Sequence, residues 1–287
     1  MTDLIKGVLG GGWPLVLGWL FPASISVGTL VVLAGPHLDM GSTSLLSGSL
    51  MILAASTMVG VIFASVQTPL YRILEGYLLW PAWFAERRLR RQLANRERLL
   101  HATEEGYRAG LTEERLRRYP EDKKDIVPTV FGNAIRRFEL YGWSRYRLNT
   151  QVLWYRITAV APESAVKAVT NARANVDFFV CLLYGQLLAA AIAAPLIRWT
   201  PRLIGVLVPL VVARLCYRLA TLATDEWAAS VRALADLARV PLAKALGLAL
   251  PDSLEDERQM WDAVYWLERR PYSSEVSEFL AKYREMS

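Results

Sequence analysis

A chain of 287 residues that is 53% hydrophobic, with a mean hydropathy of +0.23, is too apolar for an ordinary soluble protein. At 21% charged residues it is also too polar to lie wholly within a bilayer, so membrane spans joined to a water-facing part are expected. A net charge of +6 beside so much apolar sequence is accounted for by topology and anionic lipid headgroups, without nucleic acid.

The first apolar run, Trp13–Ala34, follows Lys6 and is too long for a signal peptide, so an uncleaved first span is expected. Pro14, Gly18, Pro22 and Gly28 should bend it and call on neighbouring helices to satisfy freed carbonyls. A short loop, Gly35–Ser44, carries His37 and Asp39 but no Lys or Arg. Span two, 45–66, is about 22 uncharged residues, enough for roughly 30 Å of hydrocarbon. At about 100° per residue, Ser49, Ser56, Gly60 and Gln67 share a narrow wedge of it. A small, polar stripe on a membrane helix either packs closely on another helix or lines a wet pathway.

Pro69 should kink or end span two, and Arg72 and Glu75 should pair on the amphipathic continuation. Glu86–Tyr119 is dense in charge and rich in helix formers, with a break expected near Gly106–Gly110. Its basic residues Arg87, Arg88, Arg90 and Arg91 lie nearest the bilayer and suit anionic headgroups. Phe131, Ala134, Ile135, Phe138 and Tyr141 recur at helical spacing over Thr129–Tyr141. The Arg/aromatic mixture from Trp143 to Arg156 could stack single-stranded nucleic acid, but directly before a span an interfacial segment is the better reading.

Span three, 176–197, carries Asp177 at its cytoplasmic start and Gln186 near mid-depth. Span four, 203–222, contains Arg214 and Arg218, four apart on one face. An arginine at such depth costs roughly 2.5–3.5 kcal/mol unless paired or wet. Snorkelling to the cytoplasm or pairing with Asp177 is one reading; an electropositive ring in a water-filled pathway is the other. The remaining sequence predicts helices over Asp225–Leu246, Leu254–Arg269 behind the cap Ser253, and Glu275–Glu285. Trp261 and Tyr265 should face a core.

Of the 33 Lys and Arg, 20 lie between Arg72 and Arg173 and 10 from Arg214 onward. By the positive-inside bias the middle segment, the tail and both termini face the cytoplasm. The fold class expected is an all-α integral membrane protein with two transmembrane hairpins and a helical cytoplasmic domain. Its segments are 1–84, 85–174, 175–222 and 223–287. Cys181 and Cys216 lie in apolar runs and should be reduced, buried thiols. His37 and His101 make no conventional metal set, Gly7 to Gly12 lack the context of a phosphate loop, and no serine sits in a nucleophile elbow. Neither an enzyme nor a cofactor is expected.

Two stretches, Thr68-Pro69-Leu70-Tyr71-Arg72-Ile73-Leu74-Glu75-Gly76-Tyr77 and Pro128-Thr129-Val130-Phe131-Gly132-Asn133-Ala134-Ile135-Arg136, resemble a group of uncharacterised bacterial multi-pass membrane proteins. That resemblance implies a bacterial inner-membrane location and no particular activity. In layout alone the chain is similar to bestrophin-type channels, which place two hairpins around a cytoplasmic helical region with the second span lining a pentameric anion pore. No functional residue is carried over from it. The expected function is a homo-oligomeric, channel-like protein with span two facing the axis and anions as the candidate ion. The alternative is a non-conducting scaffold or membrane-perturbing effector whose cytoplasmic helices bind a protein partner.

Overall fold

The computed structural model describes residues 12–34, 45–102, 105–196 and 200–284. In chain order the helices are α1 (Trp13–Ala34, including a π-helical turn), α2 (Leu45–Ser65), α3 (Gln67–Glu75), α4 (Ala82–Leu100), α5 (Tyr107–Leu116), α6 (Val130–Glu139), α7 (Tyr141–Tyr146) and α8 (Trp154–Val160). They continue with α9 (Glu163–Ala193), α10 (Thr200–Ala245), α11 (Leu254–Arg269) and α12 (Ser274–Ala281). No strand occurs among the described residues; an isolated antiparallel bridge pairs Leu248 with Arg284. Four helices, α1, α2, α9 and α10, are long and apolar enough to cross a membrane. The first loop, 35–44, and residues 197–199 of the second lie outside the described residues.

Two compact units share the chain. The first combines Met1–Ala82 with Thr170–Thr224, and the second combines Trp83–Val169 with Asp225–Ser287. The helices of spans three and four are longer than their apolar cores. α9 starts at Glu163, directly after Pro162, and α10 runs on to Ala245, absorbing the helix expected over Asp225–Leu246. No Gly or Pro interrupts Val211–Val240, so nothing local ends that helix at the edge of the apolar segment.

In the first unit the predicted disturbance of α1 takes a definite form. Pro22 has no N–H to give the ladder, and just before it Val16–Leu20 widens into a π-helical turn, with Phe21 N–H donating to the Val16 carbonyl five residues back. In that turn the Trp19 carbonyl accepts from Cys181 Sγ of span three at 3.3 Å, help of the kind a proline-bent span needs. Trp19, Ala23 and Cys181 form a buried cluster with Val59, Phe63, Ala64 and Leu70 around it. Both cysteines are free and buried. α2 ends at Ser65, and α3 begins just before Pro69 and stops at Gly76. Gly76, at φ +94°, lets the Tyr77 N–H turn back to the Arg72 carbonyl at 2.9 Å. The Arg72–Glu75 pair forms at 3.3 Å.

The second unit is built around α6, whose apolar face is almost wholly buried. Thr129 caps it, accepting from the Gly132 N–H at 2.9 Å. Asn133, fully buried, closes both backbone groups of Val127: it accepts from Val127 N–H at 2.8 Å and donates to its carbonyl at 3.0 Å. Phe138 stacks on Trp227 of α10 at 4.9 Å. A polar chain then ties α7, α10 and α11 together. Asp236 accepts from Tyr141 and Tyr146, Arg239 lies 4.0 Å over the Tyr146 ring and pairs with Glu257, and Trp261 Nε1 donates to Glu257. Burial and then the Asp236 carboxylate push the Tyr146 phenol up to about 12, so it remains a hydrogen donor at physiological pH. Ser253 caps α11 as expected, accepting from the Asp256 N–H at 3.1 Å. Trp261 is fully buried, while Tyr265 is half-buried against Trp143 at 5.1 Å. Of the stretch read as interfacial, Tyr146, Leu148 and Leu153 belong to this unit's core, as does Ile157 just after it, whereas Tyr155 is exposed.

Replacing Asn133 tests the α6 entry. Asn133→Leu leaves two buried backbone groups of Val127 without partners and should destabilise the protein by about 2–4 kcal/mol. Asn133→Asp keeps the acceptor but sets a carboxylate against the Val127 carbonyl, and should be no better tolerated at neutral pH than Asn133→Leu. Thermal unfolding of the purified full chain, followed by helical circular dichroism, reads both.

Candidate functional site

The first unit is held by small residues at helix crossings. A Cβ at Gly18 would lie 3.0 Å from Asp177 Cβ and 3.3 Å from the Ala174 carbonyl of span three. At Gly60 it would meet Leu20 Cδ2 at 2.8 Å, Leu20 Cα at 3.1 Å and the Trp19 carbonyl at 3.2 Å. At Gly185 it would collide with Ser26, at 2.1 Å from Oγ. Span one is thus the hub, pressed against span two at one crossing and span three at two. In lipid, where apolar burial drives helix association little, such backbone-distance packing is the main source of adhesion.

The span-two stripe divides on this evidence. Ser56 and Gly60 are buried, with Gly60 directly against the π-helical turn, and so take the packing role. Gln67 is half-buried and accepts from Arg173 at 3.0 Å. Ser49 is exposed. The rest of span two is the least covered of the four, only 11% of its apolar window being buried against 61% in span three. Its open surface is mostly apolar, with Leu46, Leu50, Met51, Leu53, Met58 and Ile62 exposed, and the hydroxyl side chains of Ser47, Ser49, Thr57 and Ser65 are exposed along it as well.

The intramembrane polar residues separate into an inward and an outward group. Asp177 is buried and accepts from Tyr71 Oη at 2.6 Å. Arg173, one turn before it on α9, lies 3.8 Å from its second oxygen. Tyr184, two turns further along, donates to the Leu70 carbonyl at 2.8 Å, so α3 is fastened to span three at two levels. Gln186 is buried and donates to Thr29 of span one at 3.2 Å. Arg214 and Arg218 instead point out of the unit and are exposed. They share a face of α10 with Leu207, Val211 and Leu222, each more than half exposed. Of the alternatives for these arginines, pairing with Asp177 does not form; Asp177 is held by Tyr71 and Arg173. Among the described residues Arg214 makes no ion pair, and its guanidinium lies 5.7 Å from the Tyr217 ring.

The juxtamembrane arginines do not act as one patch. Arg87 and Arg91 are exposed, as is Arg90, which reaches Glu86 at 3.4 Å. Arg88 turns toward the covered side of α4, with Nε buried. No group of three His, Cys, Asp or Glu side chains that could hold a metal ion occurs among the described residues.

Sequence reasoning missed Tyr71 as the partner of Asp177, since 106 residues separate them and Tyr71 looks interfacial. It also missed Gly18 and Gly185 as crossing points. Both lie on membrane helices at positions where a small residue has no local purpose, which is a usable signal.

Two replacements gauge this arrangement. Gly60→Leu should destabilise the detergent-solubilised protein by about 1–3 kcal/mol by overpacking against Leu20 and the Trp19 carbonyl, while Ile62→Leu on the open face should be neutral. Tyr71→Phe, which deletes a single oxygen, should cost about 1–3 kcal/mol by removing one charge-assisted hydrogen bond from a buried carboxylate. Melting temperatures of the three variants in one detergent check both.

Comparison of the chain with family models, with curated proteins and with solved structures yields no match in any of the three, so the functional reading rests on the geometry above.

Proposed function

We propose that this is a multi-pass protein of the bacterial inner membrane, with two transmembrane hairpins, both termini in the cytoplasm, and a helical cytoplasmic domain that recognises a protein partner. Its spans serve as a scaffold that displays this domain at the membrane. The observation that carries this reading is the fate of the span-two stripe. Ser56 and Gly60, the small residues best suited to line a pathway, are both buried, and Gly60 lies directly against Leu20 and Trp19 of span one in the same chain. Gln67 is engaged by Arg173, and the surface that span two leaves open is mostly aliphatic. Cytoplasmic placement of the termini and of the second unit is supported by its share of the basic residues.

A second reading, a homo-oligomeric channel, is favoured by one feature. Arg214 and Arg218 project from a helix apolar enough to span the membrane, on a face otherwise formed by exposed aliphatic side chains. Cations there are costly against lipid and inexpensive against water or a second copy. In that case the anion pathway would run along span four and not along span two.

Cysteine accessibility separates the two. In a Cys181→Ala, Cys216→Ala background, Ser56→Cys and Gly60→Cys should be protected from a membrane-impermeant thiol reagent. If Val211→Cys and Arg214→Cys are also protected and proteoliposomes show no anion flux, the scaffold reading holds. Labelling of both, with flux lost on Arg214→Leu, replaces it by the channel reading. The topology is checked separately: tags at Gly106 and Ser287 should report cytoplasm, and a tag at Asp39 the outside.

A further inference from the structure

The second unit contains a cavity of about 430 Å³ between α4 and α5. That volume lies within the range of small-molecule sites. Arg98, Arg115 and Arg118 line it, with Leu99, Tyr119 and Val130 supplying apolar wall. Among the described residues no carboxylate lines it.

The three cations are not equivalent. Arg118 is largely covered and locked: it forms a fork to Asp225, at 2.9 Å from Nε and 2.5 Å from Nη2, and also pairs with Glu114 at 2.9 Å. Neither carboxylate lines the cavity, and together they fix the Arg118 guanidinium. Arg98 and Arg115 lie at the exposed rim and, among the described residues, make no ion pair; Arg98 donates only to the neutral Asn95 Oδ1 at 3.0 Å. Each stands in the last turn of its helix, where a cation complements the helix dipole. Dipole complementarity explains one such residue per helix; it does not explain why two helices bring theirs, with a third, around one cavity.

We infer that this cavity is a binding site for a small phosphate-bearing anion, gripped at the rim by Arg98 and Arg115 and bounded by Arg118, Tyr119 and the aliphatic wall. Guanidinium groups match phosphate oxygens bidentately, and two from different helices can clamp one phosphate or a diphosphate. Occupancy would link α4 to α5 and so make the unit's stability depend on the anion. The site belongs to the second unit alone and is independent of whether the spans conduct.

The test is equilibrium binding to the detergent-solubilised full chain, using three probes: ADP, inorganic pyrophosphate and the soluble phospholipid dihexanoyl-phosphatidylglycerol. Saturable binding below millimolar concentration is expected for at least one probe. Arg98→Gln and Arg115→Gln should each weaken it about tenfold, and Arg87→Gln, remote from the cavity, should leave it unchanged. Preference for ADP or pyrophosphate identifies a free organic or inorganic phosphate as the source, and preference for the lipid identifies a headgroup. The doubly substituted Arg98→Lys, Arg115→Lys protein keeps the charge but loses the fork, and intermediate affinity in it shows that the glutamine variants did not merely misfold. Absence of saturable binding for all three probes overturns the proposal, as does binding that Arg98→Gln and Arg115→Gln both leave intact.

Discussion

Span one approaches its neighbours at backbone distance, and the packing of the first unit follows from that approach. Hydrocarbon gives apolar helices little reason to associate, so contact has to come from surfaces without side chains in the way. Gly18, Gly60 and Gly185 supply those surfaces: a Cβ would clash at Gly60 and Gly185 and would be a tight contact at Gly18. The π-helical turn before Pro22 lies at the same point, bringing Trp19 into the cluster with Ala23 and Cys181. Bending and close packing are therefore a single feature of span one. The prolines that weaken its ladder also shape the contact that holds it.

The same crossing positions the buried carboxylate. Gly18 leaves just enough room for Asp177, which then needs a donor because it is cut off from water. Tyr71 provides one, and can do so because Pro69 and the Gly76 cap delimit α3 as a short helix lying along span three. The polar residues directed inward, Asp177, Gln186 and Ser26, are consumed by packing and hydrogen bonding within the unit. Arg214 and Arg218, directed outward, are not.

The second unit is organised by polar closure as much as by its apolar core. Asn133 seals the backbone at the entry to α6, and the series Tyr141, Tyr146, Asp236, Arg239, Glu257 and Trp261 joins three helices by hydrogen bonds and ring contacts. Networks satisfied to this degree fix the relative setting of the helices that carry them. The arginines around the cavity between α4 and α5 contrast with this. Arg118 is fully engaged, whereas Arg98 and Arg115 are exposed at the rim and, among the described residues, make no ion pair.

Sequence by itself determined the elements of this protein. Uncharged runs of membrane length, caps such as Thr129 and Ser253, the break at Gly106 and the Arg72–Glu75 pair depend on residues within a few positions of one another, and such local physics is written in the order of the chain. The two stretches that resemble other membrane proteins carry structural roles of this local kind: a proline break with a glycine cap in one, and a threonine cap with the Asn133 clasp in the other. Only the tertiary structure decided which faces meet. Periodicity shows that Ser56 and Gly60 share a side of span two but not that Leu20 and Trp19 occupy it. It shows that Asp177 needs a partner but not that Tyr71 is that partner in place of Arg214. Helical spacing fixes the angle between residues on one helix, whereas the choice of neighbour is set by shape complementarity between segments far apart in the chain, a property that no single segment contains.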